Sequence, residues 1–295
     1  MKFKGIIAKT CAIASTIAIP TVAKAVTLKL TIENIAPQQG ALVTPVWYGF
    51  HDGSFDTFNP NSPASTGIEH IAEDGYTGLE NRLPGFENLG IDVNNFVIPL
   101  DNTISGLFAN SNEGTQGILS SEENPFFGLF PGQSNSTLIN LDGNLAQNRF
   151  FSYAAMFFPS NDAFIADENP LEIFDAEGNF IGANFIVSGS QVWDAGTEVN
   201  DESLANVPFT LPQIGQGVEE NGTIQRHPGF RPRGTGGVLD SANGLFTNAD
   251  FTTPGYQIAR IKIEKVSVPE PNISAGLLVL GATFLAGYRL RRQAN

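Results

Sequence analysis

Two stretches of strict alternation bracket the body of the chain. Val26, Leu28, Leu30 and Ile32 alternate with Thr27, Lys29, Thr31 and Glu33. A period of two predicts a strand with one buried face. Residues 259–264 read A-R-I-K-I-E and repeat the pattern, so the body opens and closes on strands that are candidates to pair. Between them the apolar runs are short and rich in phenylalanine. Residues 44–50 form one; residues 149–158, R-F-F-S-Y-A-A-M-F-F, form the strongest and read as a central strand. Residues 184–187 and 209–211 are weaker strand candidates.

Turn chemistry fills the gaps. Asp175-Ala-Glu-Gly-Asn179 separates Ile173-Phe174 from Phe180-Ile181, which predicts a hairpin with Gly178 in the left-handed region. Helical periodicity is almost absent; only residues 65–73, S-T-G-I-E-H-I-A-E, suggest one short helix. With 31 Gly and 18 Pro spread along 295 residues, the predicted class is all-β, an antiparallel β-sandwich with long loops.

The ends read differently. Lys2, Lys4 and Lys9 precede and enter a short apolar stretch, and Ala23-Lys24-Ala25 supplies small residues around a cut. This predicts a signal peptide over residues 1–25, leaving Val26 as the mature start. At the other end Val-Pro-Glu-Pro (268–271) breaks any strand, residues 273–288 carry no charge, and Arg289, Arg291 and Arg292 follow. The glycines and alanines of that segment suit a transmembrane helix, with the arginines holding the C-terminus in the cytoplasm. The order Pro-Glu-Pro, apolar helix, arginine cluster resembles the PEP-CTERM sorting signal, over residues 268–295. That resemblance implies a Gram-negative-type bacterium, a transient anchor in the inner membrane, and handling by an exosortase that passes the protein to the cell surface or extracellular matrix. The domain plan is thus 1–25, 26–267 and 268–295.

Removing the ends sharpens the charge. Of 30 acids and 16 Lys plus Arg, the leader takes four lysines and the tail Glu270 and three arginines, leaving 29 and 9, a net −20. Such a body offers no basic face for nucleic acid. The single cysteine, Cys11, lies in the leader, so the body has no disulfide, thiolate or cysteine metal site.

Residues 44–56, T-P-V-W-Y-G-F-H-D-G-S-F-D, then 67–75, G-I-E-H-I-A-E-D-G, resemble the bacterial branch of the spondin N-terminal domain family. Residues 158–165 (F-P-S-N-D-A-F-I), 192–198 (V-W-D-A-G-T-E) and His227-Pro228 extend the likeness in order. The resemblance implies an antiparallel sandwich, a calcium ion among loops at one end, and a role in adhesion. Animal members carry cysteines and further modules that this chain lacks, so partner specificity does not transfer.

Asp162, Asp194, Glu198 and Asp201 are the candidate metal ligands, with Glu202 close by in the sequence. Calcium takes six to eight oxygens at about 2.3–2.6 Å from carboxylates and carbonyls on adjacent loops. The competing reading has Asp194 and Asn161 capping turns through their own backbone. Asp167, Glu168, Asp175 and Glu177 read as solvated turns, without the EF-hand spacing. The three histidines, His51, His70 and His227, show no zinc spacing, and Ser54 lacks a nucleophile elbow. The sequence therefore favours an exported, non-enzymatic binding or adhesion protein, with extracellular polysaccharide or surface proteins as partners. The alternative is a secreted hydrolase using acids such as Asp52 and Glu73. A paired-carboxylate glycosidase needs two such groups about 5–9.5 Å apart in an aromatic cleft, for which Trp47 and Trp193 are the only tryptophans.

Overall fold

The computed structural model describes residues 25–79, 98–111, 114–123, 125, 127–203 and 217–266. The predicted leader up to Lys24, the predicted sorting tail and the strand candidate at 209–211 lie outside these residues, whereas Ala25, the last predicted leader residue, opens the first strand. Among the described residues no helix is long and apolar enough to cross a membrane. In chain order the strands are β1 (Ala25–Asn34), β2 (Leu42–Val43), β3 (Val46–His51), β4 (Thr115–Leu119), β5 (Ser134–Asp142) and β6 (Phe150–Phe158). Then follow β7 (Ala163–Ala166), β8 (Leu171–Glu172), β9 (Ala183–Ser188), β10 (Val192–Asp194), β11 (Gln225–Arg226) and β12 (Gln257–Lys265). Two α-helices, α1 (Thr66–Asp74) and α2 (Ile104–Ser111), accompany them.

The strands build two antiparallel sheets. One has the order β5-β1-β12-β9; the other runs β11-β10-β7-β6-β3-β4, with β2 and β8 paired to β6. The two alternating end segments do pair: Leu30 faces Ile263 and Ile32 faces Ile261. Their apolar faces, Leu28, Leu30, Ile32, Ile261 and Ile263, are buried against Phe151, Tyr153 and Phe157 of the opposite sheet. Burying a side chain of this size is worth about 1.5–3 kcal/mol, so this inter-sheet layer is the main core.

The second sheet is covered on both faces, which accounts for the lack of alternation in β6. Its residues Phe151–Phe158 are all buried. On its far side a second apolar cluster joins Trp47, Phe55, Phe58, Ile68, Ile71, Phe108, Phe164 and Trp193. The helices therefore make a third layer, which the sequence reading of a plain sandwich does not include. The expectation of one short helix is also corrected. α1 appears where the periodicity places it, with Ser65 as N-cap accepting from the Ile68 N–H at 3.3 Å. α2 is additional: its Ile104 and Phe108, four residues apart, are both buried. Its interior glycine and serines mask the helical pattern. Gly106 is required there, because a Cβ would lie 2.0 Å from the Leu100 carbonyl oxygen.

The 175–179 hairpin forms as expected. Asp175 Oδ1 accepts from the backbone N–H of Glu177 and Asn179, and Gly178 has φ +75°. The acids near it do not gather around one point. Asp167 instead accepts from the buried Tyr153 hydroxyl at 3.4 Å, and burial raises its carboxyl to about 6.

Candidate cation site

Strand register brings the first two candidate ligands together. β6 ends at Phe158, and a tight turn returns the chain into β7. Ser160 Oγ holds that turn by accepting from the N–H groups of Asp162 (3.2 Å) and Ala163 (2.9 Å). β7 pairs with β10 so that Ala163 faces Asp194. The Ala195 N–H donates to the Asp162 carbonyl at 3.0 Å, tying the two loops at their roots.

The side chains then come near one another. Asp162 is fully buried. Its Oδ2 accepts from the Glu198 backbone N–H at 3.2 Å, while its Oδ1 has no hydrogen-bond partner. Burial, reinforced by the nearby Asp194 and Glu198 carboxylates, pushes the Asp162 carboxyl up to about 8; the backbone N–H groups of Glu198 and Thr197 only partly offset this. Glu198 is also buried, and its Oε2 accepts from Asn161 Nδ2 at 3.1 Å. Burial raises it, with Asp74 and Asp201 acting in the same direction. Gly217 packs directly on this carboxylate: a Cβ there would sit 1.8 Å from Glu198 Cδ.

The competing turn-cap reading of Asp194 is half right. Its Oδ1 accepts from the Gly196 N–H at 2.8 Å in an Asx turn, with Gly196 at φ +68°. Its Oδ2 accepts from Asn200 Nδ2 at 2.5 Å, and Asn200 Oδ1 accepts in turn from His227 Nε2 at 3.0 Å. Asp194 thus caps its turn and stands beside Asp162 at once. Asn161 does not cap its own turn; it bridges Glu198 and the Val199 carbonyl.

Two acids that sequence spacing does not connect to these loops complete the cluster. Glu73 and Asp74 end α1, and both lie within electrostatic reach of Glu198. Burial pushes Glu73 up to about 8; Glu198, Asp74 and Glu69 add to the effect, and the Thr197 hydroxyl opposes it. A helix C-terminus carries partial negative charge, yet no basic residue stands in the last turn of α1. The distance along the chain, more than 80 residues from Glu73 to Asp162, hides this grouping from the sequence.

The remaining candidates are engaged elsewhere. Asp201 Oδ1 caps Ser203 at 2.7 Å, though Asp201 still lies close enough to raise Glu198. Glu202 is a clamp: its Oε1 accepts from the Arg231 N–H at 2.5 Å and its Oε2 from the Val238 N–H at 3.0 Å. Among the described residues no three His, Cys, Asp or Glu side chains close on a common metal position. The donors present are all oxygens, the set a hard cation such as calcium takes and zinc does not favour. The orphaned Asp162 Oδ1 and its charged neighbours are compatible with such an ion.

The histidines have structural duties. His51 is the last residue of β3 and is fully buried. Its Nδ1 accepts from the Gly53 N–H at 3.1 Å, so in the neutral ring Nε2 carries the proton and donates to Ser152 Oγ at 3.0 Å. A general base would have to accept from that serine, and this tautomer cannot. His227 repeats the arrangement, with Nδ1 accepting from the Gly229 N–H at 3.1 Å. His70 pairs with Asp74 along α1 at 3.4 Å. Asp52 is exposed and caps Ser54 at 2.9 Å. It is not among the groups that perturb Glu73. Trp47 is fully buried and donates to Gln116 Oε1 at 2.8 Å. Trp193 is 5 % exposed and covered by the Arg226 guanidinium, 3.5 Å from its ring centre.

Fold and site together define a mostly β domain of two antiparallel sheets, one of them covered by two helices, with a buried carboxylate cluster at the ends of β7, β10 and α1. Compared with protein-family models and with curated proteins, the chain matches none.

Proposed function

We propose that the chain is an exported, non-enzymatic binding module whose loop end takes a calcium ion through Asp162, Asp194 and Glu198, with Asp201, Glu73 and Asp74 around them. One observation carries this reading: a fully buried carboxylate oxygen, Asp162 Oδ1, has no partner and sits among further carboxylates. Buried charge of one sign is costly unless it is paired or coordinates a metal. Bound there, a divalent cation would neutralise the cluster and fix the loops to one another. The spondin-like motifs support both the ion and an adhesive role. The leader and the Pro-Glu-Pro tail support export, exosortase handling and display at the surface, where polysaccharide or surface proteins would be the ligands. The hydrolase alternative draws no support from the separated Asp52 and Glu73 or from the two covered tryptophans.

Thermal melting of the purified protein in calcium and then in chelator tests the ion. Binding to the native state alone raises the melting point by mass action; Asp162→Ala and Asp194→Ala abolish the rise. An unchanged melting point in millimolar calcium overturns it. Deleting residues 272–295 tests the tail: the truncated protein appears in the medium, and unchanged fractionation refutes the sorting reading.

A further inference from the structure

The four-stranded sheet has two edges, β5 and β9. Exposed edges are templates for pairing, and proteins blunt them with short strands, charges, prolines or bulges. β9 is short, six residues, and the register of its pairing with β12 is broken between Gln257 and Ala259. β5 has none of these defences. It runs for nine residues, S-N-S-T-L-I-N-L-D, with no proline, no glycine and no charge before Asp142. It pairs with β1 on one side only. The facing edge strand β4 approaches its start, where the Ser120 carbonyl takes the Asn135 amide at 2.6 Å, but does not pair with it. From Thr137 to Leu141 the outward backbone groups have no partner among the described residues.

We infer that β5 is the pairing edge for a second copy of this chain, added antiparallel about a two-fold axis at Leu138. Three observations select that occupant. Leu138 is the middle residue of the strand, and at 63 % it is the most exposed large apolar side chain among the described residues. A two-fold pairing puts it directly against Leu138 of the partner subunit, the self-complementary contact that closes a dimer instead of propagating a filament. The body carries a net charge of −20, which repels a second copy over most of its surface. The β5 edge is a neutral stripe of Ser, Thr, Asn and Leu, along which two copies meet without opposing carboxylates. Pairing would join two four-stranded sheets into one of eight, the geometry of strand addition.

Leu138→Lys and Leu138→Asp test the register, because the side chain points to solvent and neither change touches the core. In sedimentation velocity from micromolar to hundreds of micromolar protein, the parent chain sediments as a dimer and each variant alone as a monomer. An equimolar mixture of the two restores the dimer, since Lys then faces Asp across the axis, and high salt weakens it again. A parent chain that stays monomeric throughout, variants that remain dimeric, or a mixture that stays monomeric each overturns the proposal. None of these outcomes depends on calcium.

Discussion

Asp162→Asn is the perturbation that reads the carboxylate cluster most directly. Asn is isosteric, and its Oδ1 can keep the bond from the Glu198 N–H. Its amide places a donor where the parent has an unpartnered oxygen facing carboxylates. The magnitude follows from linkage. The Asp162 carboxyl rises from 3.8 to about 8 on folding, so between those values the native state holds a proton that the unfolded chain has released. Stability therefore falls as pH rises through that window and is lowest above 8. At about 1.4 kcal/mol per pH unit the full cost is about 6 kcal/mol. Relaxation of the loops lowers it, and a gain of about 2–5 kcal/mol is expected for the variant at pH 8 in chelator. Near pH 4, where this carboxyl is only about half ionised in the unfolded chain, the two proteins differ by less than about 1 kcal/mol. Urea melts at pH 4, 6 and 8 in chelator measure the difference. In millimolar calcium the gap narrows, because only the parent gains by mass action, about 2.7 kcal/mol at a hundredfold excess over Kd. A variant less stable than the parent at pH 8 in chelator would show that burying the Asp162 carboxylate carries no such cost.

Further outcomes follow from single contacts. Ser152→Ala leaves the His51 Nε2–H buried without an acceptor and costs about 1–3 kcal/mol in urea unfolding. Burial lowers His51 from 6.5 to about 4, so its neutral ring resists charging. Its contribution is lost as pH falls from 6.5 through 4, and His51→Gln removes that component of the acid limb of a pH–stability curve. Gly217→Ala forces the Glu198 carboxylate aside, since no Cβ fits 1.8 Å from its Cδ; the calcium-induced rise in melting point shrinks while the chelator value changes little. Glu202→Ala frees the Arg231 and Val238 N–H groups, and tryptic cleavage after Arg233 becomes faster without loss of the global fold. Phe108→Ala removes the fully buried anchor of α2 and costs about 3–5 kcal/mol.

Local chemistry is legible in the amino-acid sequence alone. The alternation in residues 26–33 and 259–264 marks β1 and β12, because a half-buried strand must place apolar residues on every second position. Ser65 and Gly178 mark a helix start and a hairpin, because caps and left-handed turns are settled within a few residues. Asp162 and Asp194 stand out on segments with turn chemistry, and register does make them neighbours.

What only the tertiary structure decides involves partners far apart in the chain. β6 lacks alternation because helices cover its second face, so the third layer becomes visible only with α1 and α2 in place. His51 has the look of a loop site in sequence, but Gly53 and Ser152 settle its tautomer and burial removes it from solvent. Glu73 and Asp74 join the carboxylate cluster from a helix end that no spacing rule connects to Asp162. Periodicity records which face of an element is buried, whereas charge accumulates by proximity in space, and proximity is what the fold alone supplies.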